Sequence, residues 1–114
     1  MREIERKMVA AVAGRYSFHL DNTAVSVNET IFDASAGGLV PAAVAVRLHG
    51  NLIAYYDACG RLHISCGGWH SRTTASRLRA LGASACIRGG RIVDYYSGRE
   101  ILHTFAASRR GWGF

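Results

Sequence analysis

The sequence predicts a single-domain α+β fold over residues 1–114, and three observations predict it. An amphipathic run opens the chain, short alternating apolar stretches separated by glycine turns fill most of the rest, and one well-capped helical segment interrupts them near 71–81. Hydrophobic residues make up 49% of the chain and there is one proline, the composition of a packed globule rather than of a disordered tail.

The opening EIERKMVAAVA places Ile4, Met8, Ala11 and Val12 at helical spacing, sets Glu3 one turn from Lys7 and meets a natural stop at Gly14. Residues 1–14 are therefore read as an N-terminal helix. RYSFHLDNTAVSVNETIF reads as one or two strands with a turn at Asp21-Asn22, and ASAGGLVPAA, 34–43, as a turn-prone connection and the most mobile internal segment. From Val44 the alternation sharpens. AVAVRLH, a two-residue turn at Gly50-Asn51, LIAYYDA, a turn at Cys59-Gly60 and RLHISC make a three-stranded meander. After the helix, ACIR, a Gly89-Gly90 turn, RIVDYY, a Ser97-Gly98 turn and REILHTF make a second. The expected architecture is an antiparallel sheet of two β-meanders, six to eight short strands in all, with the central helix packed on one face. NLIAYY at 51–56 echoes RIVDYY at 91–96, which fits two hairpins obeying the same turn rules or a pseudo-duplicated sheet, and two copies are too few for a solenoid.

Ser71 is a good N-cap for the central helix and Gly82 a good stop. Thr74, Ala75, Leu78 and Leu81 fall on one side, which should pack on the sheet. Arg72, Ser76 and Arg79 fall on the opposite side with Arg77 on the flank, so the arginines are expected to face water. The preceding Gly67-Gly68, with His70 and Arg72 close by, resembles in composition the loops that bring backbone N–H groups to a phosphate. It also resembles the glycine-rich strand-to-helix turns that exist for steric reasons, and neither GxxxxGK[ST] nor GxGxxG is present.

Three pieces of the chain carry a resemblance: Asn22, Thr23 and Val25 on the first long strand, VRLHGNLIA at 46–54, and GWHSRTTASRL at 68–78, with His70 standing between Trp69 and Ser71. Together with the glycine-turned hairpin that follows, they resemble a group of small phage- and prophage-encoded proteins of uncharacterised function. The resemblance covers roughly residues 22–104, leaving the N-terminal helix and the C-terminal tail outside it. It implies a viral origin and carries over no catalytic or ligand-binding residues.

Charge separates the halves. Residues 1–60 hold five bases, Arg2, Arg6, Lys7, Arg15 and Arg47, against six acids, a net of −1, whereas 61–114 hold nine arginines against Asp94 and Glu100, a net of +7. An arginine-rich half is the electrostatic footprint of a nucleic-acid or acidic-partner surface. The preponderance of arginine over lysine, thirteen to one, fits a GC-rich genome equally well. The residues nominated for such a surface are Arg72, Arg77, Arg79, Arg61, Arg91 and Arg99, with Tyr56, Tyr96 and Trp69 as stacking groups. The tail, 106–114, adds Arg109, Arg110 and Trp112. Each tyrosine pair, Tyr55-Tyr56 and Tyr95-Tyr96, is expected on a strand, with one ring in the core and one outside, and outward rings suit either base stacking or cross-strand packing.

Cys59, His63, Cys66 and His70 form C-x3-H-x2-C-x3-H, but His63 and Cys66 lie three apart on one strand and point to opposite faces, so no zinc is expected. No activated nucleophile with an orienting acid and no paired carboxylates are present, so no catalytic residue, no metal and no cofactor are assigned and the protein is read as no enzyme. Three cysteines without a framework spacing fit reduced thiols. There is no apolar run of membrane-spanning length and no signal-peptide start, which places the protein in the host cell cytoplasm with no membrane partner. Two functions follow: a phage-derived accessory protein that binds nucleic acid through its arginine-rich half, or a phage-encoded inhibitor or modulator of a host protein, such as a defence complex or host enzyme, that contacts no nucleic acid. The sequence leaves the oligomeric state open, a homodimer included.

Overall fold

The computed structural model describes residues 2–68 and 70–102. Helix α1 spans Glu3–Gly14 and is followed by β1 (Phe18–Leu20), β2 (Thr23–Asp33), a 3-10 turn at Ala34–Ala36, β3 (Gly38–Leu48), β4 (Asn51–Tyr56), β5 (Leu62–Ile64), α2 (Arg72–Ala80), β6 (Ala85–Arg88) and β7 (Arg91–Asp94). The fold is α+β with seven strands among the described residues. They form two antiparallel sheets rather than one, a five-stranded sheet in the order β1-β2-β3-β4-β5 and a β6-β7 hairpin.

Helix α1 buries Met8 and Ala11, but its buried face also includes Glu5, while Ile4 and Val12 are only half-buried. Its terminator is Arg15, not Gly14. Arg15 takes the left-handed conformation, φ 54°, and its N–H and that of Tyr16 close the last turn on Val12 and Ala11. Gly14 meets a different demand, since a Cβ there would lie 2.9 Å from the Tyr16 ring.

The Asp21-Asn22 turn joins β1 to β2 as its residue types predict. Segment 34–43 differs from expectation. The turn closes by Gly37, and Gly38–Ala43 is already strand β3, paired with β2 from Asp33↔Gly38 onward. Pro41 is tolerated there because β4 pairs only with Val44–Leu48, so at Pro41 one side of β3 has no neighbouring strand. The β3-β4 turn is His49-Gly50, one residue earlier than Gly50-Asn51, and both residues have positive φ, 53° and 79°. That is the requirement of a turn whose twist matches its strands.

The two faces of the sheet carry two cores. Alternation along β4 sends Tyr56 to the helix-covered face and Tyr55 to the opposite one. The larger core joins Met8 and Ala11 of α1, Ala75, Leu78 and Leu81 of α2, and Ile92 of β7 to Val25, Val44, Val46 and Leu48 of the sheet. The smaller joins Ile31, Ala42, Ala45, Leu52 and Tyr55. Val25 and Val27 thus serve the first core and Ile31 the second, although their parity on β2 is the same. The change falls at Asn28, whose φ of 54° breaks the extended run between them. The Tyr55 phenol donates to Asp33 Oδ2 at 2.7 Å, and the Ser35 N–H and hydroxyl donate to Asp33 Oδ1, so a buried carboxylate ties the far end of the β2-β3 hairpin to β4. Burial, first, and the Asp33 carboxylate, second, push the Tyr55 hydroxyl well above the usual phenol range.

Candidate functional site

Ser71 starts α2 by accepting the Thr74 N–H on its hydroxyl at 3.1 Å. The preceding Gly67 serves packing. A Cβ on Gly67 would lie 2.8 Å from Ile53 Cγ2, and the Gly67 N–H already donates to Ser65 Oγ at 3.1 Å. That amide is engaged within the protein, which favours a steric origin for the glycine over a phosphate loop.

The helix carries three arginines with two fates. Arg77 is 2% exposed, contrary to the expectation that it faces water. Thr74, Arg77, Leu78 and Leu81 follow the i, i+3, i+4, i+7 pattern of a buried stripe, and Arg77 can join it because acceptors wait at its end. Its Nη1 donates to Glu5 Oε2 at 2.7 Å, its Nε to Thr23 Oγ1 at 3.0 Å and its Nη2 to Asn22 Oδ1 at 3.3 Å. Burial pushes the Glu5 carboxyl up, but the Ser76 hydroxyl, the Arg77 guanidinium and the Arg2 backbone N–H outweigh it and hold the group below the usual carboxylate range. Helix α1, helix α2 and the start of β2 are thereby locked by one ionic cluster.

Arg72 and Arg79 lie two turns apart on the outer side of α2, both exposed. With Arg2 they line a groove of about 460 Å³ whose other walls are Ala75, Ser76 and Ile87. Arg79 is held in place by a 3.1 Å bond from Nη1 to the Ala85 carbonyl. Among the described residues none of these three arginines forms an ion pair with a carboxylate, and Glu5, which the groove residue Ser76 reaches with its hydroxyl, is already paired with Arg77. The groove brings three guanidinium-bearing side chains beside Ala75, Ser76 and Ile87. Sequence reasoning missed Arg2, because the acid-rich first half masks a base that the fold brings beside α2.

The remaining nominated residues are scattered. Arg61 and Arg99 are exposed, whereas Arg91 is paired with Glu100 at 3.0 Å and so is partly offset. Tyr56 is not an outward ring. It packs on the larger core with its hydroxyl 3.4 Å from the Leu81 carbonyl, and burial raises its phenol. Tyr95 and Tyr96 lie on a turn beyond β7 rather than on a strand, and both are exposed. Among the described residues the second meander is the β6-β7 hairpin with one bridge beyond it, Val93↔Glu100, and residues 103–105 of the expected third strand lie outside them. Trp69, Arg109, Arg110, Trp112 and the tail 106–114 lie outside the described residues.

The C-x3-H-x2-C-x3-H residues go to four different surroundings. Cys59 is exposed and Cys66 belongs to the larger core. His63 stacks on Tyr55, ring centroids 4.5 Å apart, with Nε2 2.8 Å from Asp57 Oδ2. His70 accepts the Ile92 N–H on Nδ1 at 2.9 Å, which fixes the proton on Nε2, 3.6 Å from Glu100. Among the described residues no group of three or more His, Cys, Asp or Glu side chains is placed to hold a metal ion, and no helix is long and apolar enough to cross a membrane.

A family model described as Kyanoviridae Gp96 protein matches residues 1–105. The chain belongs to the Kyanoviridae Gp96 family. It is a phage-encoded protein, as the resemblance of the 22–104 region implies, and the Gp96 match extends further, through α1 with both Arg2 and Glu5, and ends before the tail 106–114. No curated protein and no solved structure matches.

Proposed function

We propose that this Gp96-family protein is a non-enzymatic phage accessory protein that binds nucleic acid in the host cytoplasm, with the groove lined by Arg2, Arg72 and Arg79 as its phosphate-contacting surface. One observation carries the reading: Arg72 and Arg79 of α2 and Arg2 at the start of α1 converge on one groove and none is paired with a carboxylate among the described residues, while the arginine that faces inward has internal partners. Unpaired guanidinium groups along a groove attract phosphates without regard to sequence, and the expected binding is salt-dependent. A labelled oligonucleotide titrated at several salt concentrations tests it. Affinity should fall with a log–log slope of about −0.7 to −0.9 per phosphate contact, and the Arg72→Ala, Arg79→Ala double variant should bind more weakly with a shallower slope. Absence of binding by the unaltered protein at low salt overturns the reading.

A second reading, binding of a host protein without nucleic acid, draws on a different feature. An apolar cleft of about 380 Å³ opens between α1 and the end of α2, lined by Val9, Val12, Val44 and Leu81 with Arg15 and Tyr56 beside them. An apolar contact of that kind is insensitive to the salt that weakens phosphate contacts, so the same titration separates the two.

A further inference from the structure

We infer that the nucleic acid this protein takes is single-stranded, held by stacking of an unpaired base on Tyr96; the inference rests on the groove reading above. Tyr96 is 83% exposed and Tyr95 57%. Large apolar rings left in water at adjacent positions are a cost unless something covers them, and here they are not loosely placed. The turn that bears them is pinned by the Ser97 N–H on Asp94 Oδ2 at 2.9 Å, the Gly98 N–H on the Asp94 carbonyl at 2.8 Å and the Arg99 N–H on Ser97 Oγ at 3.2 Å. The Tyr95 N–H also bonds the Ser84 carbonyl at 2.7 Å, which ties the turn to the segment joining α2 to β6.

The rings themselves are ordered by contact. Tyr95 stands edge-on to Tyr96, centroids 5.2 Å apart at 85°, and carries the Arg88 guanidinium 5.7 Å from its centroid. Tyr95 is therefore the buttress and Tyr96, the more exposed, is the platform. Such a ring suits the face of a base, because every base has a π-face and stacking is indifferent to sequence.

Groove and platform both adjoin β6. Arg79 holds the carbonyl of Ala85, Ile87 forms part of the groove, and Arg88, the next residue, lies over Tyr95. Basic groups that track a backbone, leading to an aromatic ring that stacks a base, are the two components of sequence-tolerant single-strand recognition. A duplex keeps its bases stacked on one another and offers Tyr96 no face, so it can use the groove but not the ring.

The test uses the full chain, a labelled oligothymidylate of about twelve nucleotides, within the roughly 4–16 that one such surface covers, and a duplex of equal length, followed by anisotropy. The unaltered protein should bind the single strand more tightly than the duplex. Tyr96→Ala should weaken single-strand binding roughly 5- to 150-fold, leave duplex binding and the salt slope unchanged, and be rescued by Tyr96→Phe, since stacking needs the ring and not the hydroxyl. The Arg72→Ala, Arg79→Ala variant should instead lower the salt slope for both. Equal affinity for the two nucleic acids, or single-strand binding untouched by Tyr96→Ala, overturns this inference while leaving the groove standing. No binding of either by the unaltered protein overturns both.

Discussion

The two sides of α2 carry the same side chain under opposite conditions. On the inner side Arg77 is buried and is compensated by Glu5, Thr23 and Asn22, whereas on the outer side Arg72 and Arg79 are exposed and form no ion pair with a carboxylate among the described residues. A guanidinium inside a protein must satisfy a planar set of donors or it costs several kcal/mol, so its surroundings are built to match it. A guanidinium outside has no such need, and its pairing or lack of it is left to function. The inner arginine therefore reports on how the helices are assembled, and the outer pair reports on what the assembled surface is for.

The largest effect is expected where that difference is removed from the inside. Arg77→Met alone leaves Glu5 charged and buried, and should destabilise the protein by about 3–5 kcal/mol in urea unfolding. Adding Glu5→Leu should restore most of that loss, because an apolar pair of similar volume needs no partners. If Arg77→Met costs less than about 1 kcal/mol, Arg77 is not held as described and the contrast between the two sides fails.

The neighbouring apolar position gives a control of similar scale. Leu78 is fully buried between α2 and the sheet, and Leu78→Ala should cost roughly 2–5 kcal/mol by opening a cavity there. Denaturation midpoints of Leu78→Ala and of the Glu5→Leu, Arg77→Met double variant distinguish packing from charge: only the former should remain strongly destabilised.

Acid separates the sides more gently. The folded protein holds the Glu5 carboxyl below its usual range, so Glu5 contributes stability that is present above the unfolded value of 4.5 and lost as pH falls through the lower folded value. Glu29 adds in the same direction, the paired Arg47 lowering it first of all causes. Thermal midpoints should therefore be flat above about pH 5 and fall below it. Glu5→Gln should lower the plateau and flatten the acid limb, an outcome that substitutions of Arg72 and Arg79 should not produce.

Local rules made most of the elements legible. Ser71, the Asp21-Asn22 turn and the alternation along 44–64 each act over a few residues, and the elements they predict are present. What they do not encode is which partner an element meets. Arg77 sits at a buried helical position by spacing alone, yet the acid that permits its burial lies on α1, and no pattern within α2 names Glu5. The two tyrosine pairs show the same limit. Tyr55-Tyr56 lies on a strand with neighbours on both sides and is drawn into two cores, while Tyr95-Tyr96 follows a four-residue strand in a two-stranded hairpin and is released into a turn. The echo between NLIAYY and RIVDYY is one of local propensity, and the number of strands beside each copy decides the outcome. The groove was half visible for the same reason: Arg72 and Arg79 share a face by helical period, and Arg2 joins them only through the packing of α1 on α2.

The smallest effect on stability is expected to be the largest on function. Arg72 and Arg79 are exposed, make no ion pair among the described residues, and share only one internal bond, from Arg79 to the Ala85 carbonyl. Replacing both with alanine should change stability by no more than about 0.5 kcal/mol, since no core volume is lost and the bond given up, to the Ala85 carbonyl, is only part-buried. The same change removes two of the three positive groups in the groove, so oligonucleotide affinity and its salt slope should both drop, the slope by about 0.7 for each lost phosphate contact with a single strand. Measured side by side with Arg77→Met, the double variant completes the contrast: one substitution should destabilise the fold by loosening α1 from α2, and the other should remove two of the groove's three charges without touching the fold. A double variant that keeps full affinity would mean that the outer arginines are solvated bystanders, and the apolar cleft beside Val9, Val12 and Leu81 would then carry the protein's interactions.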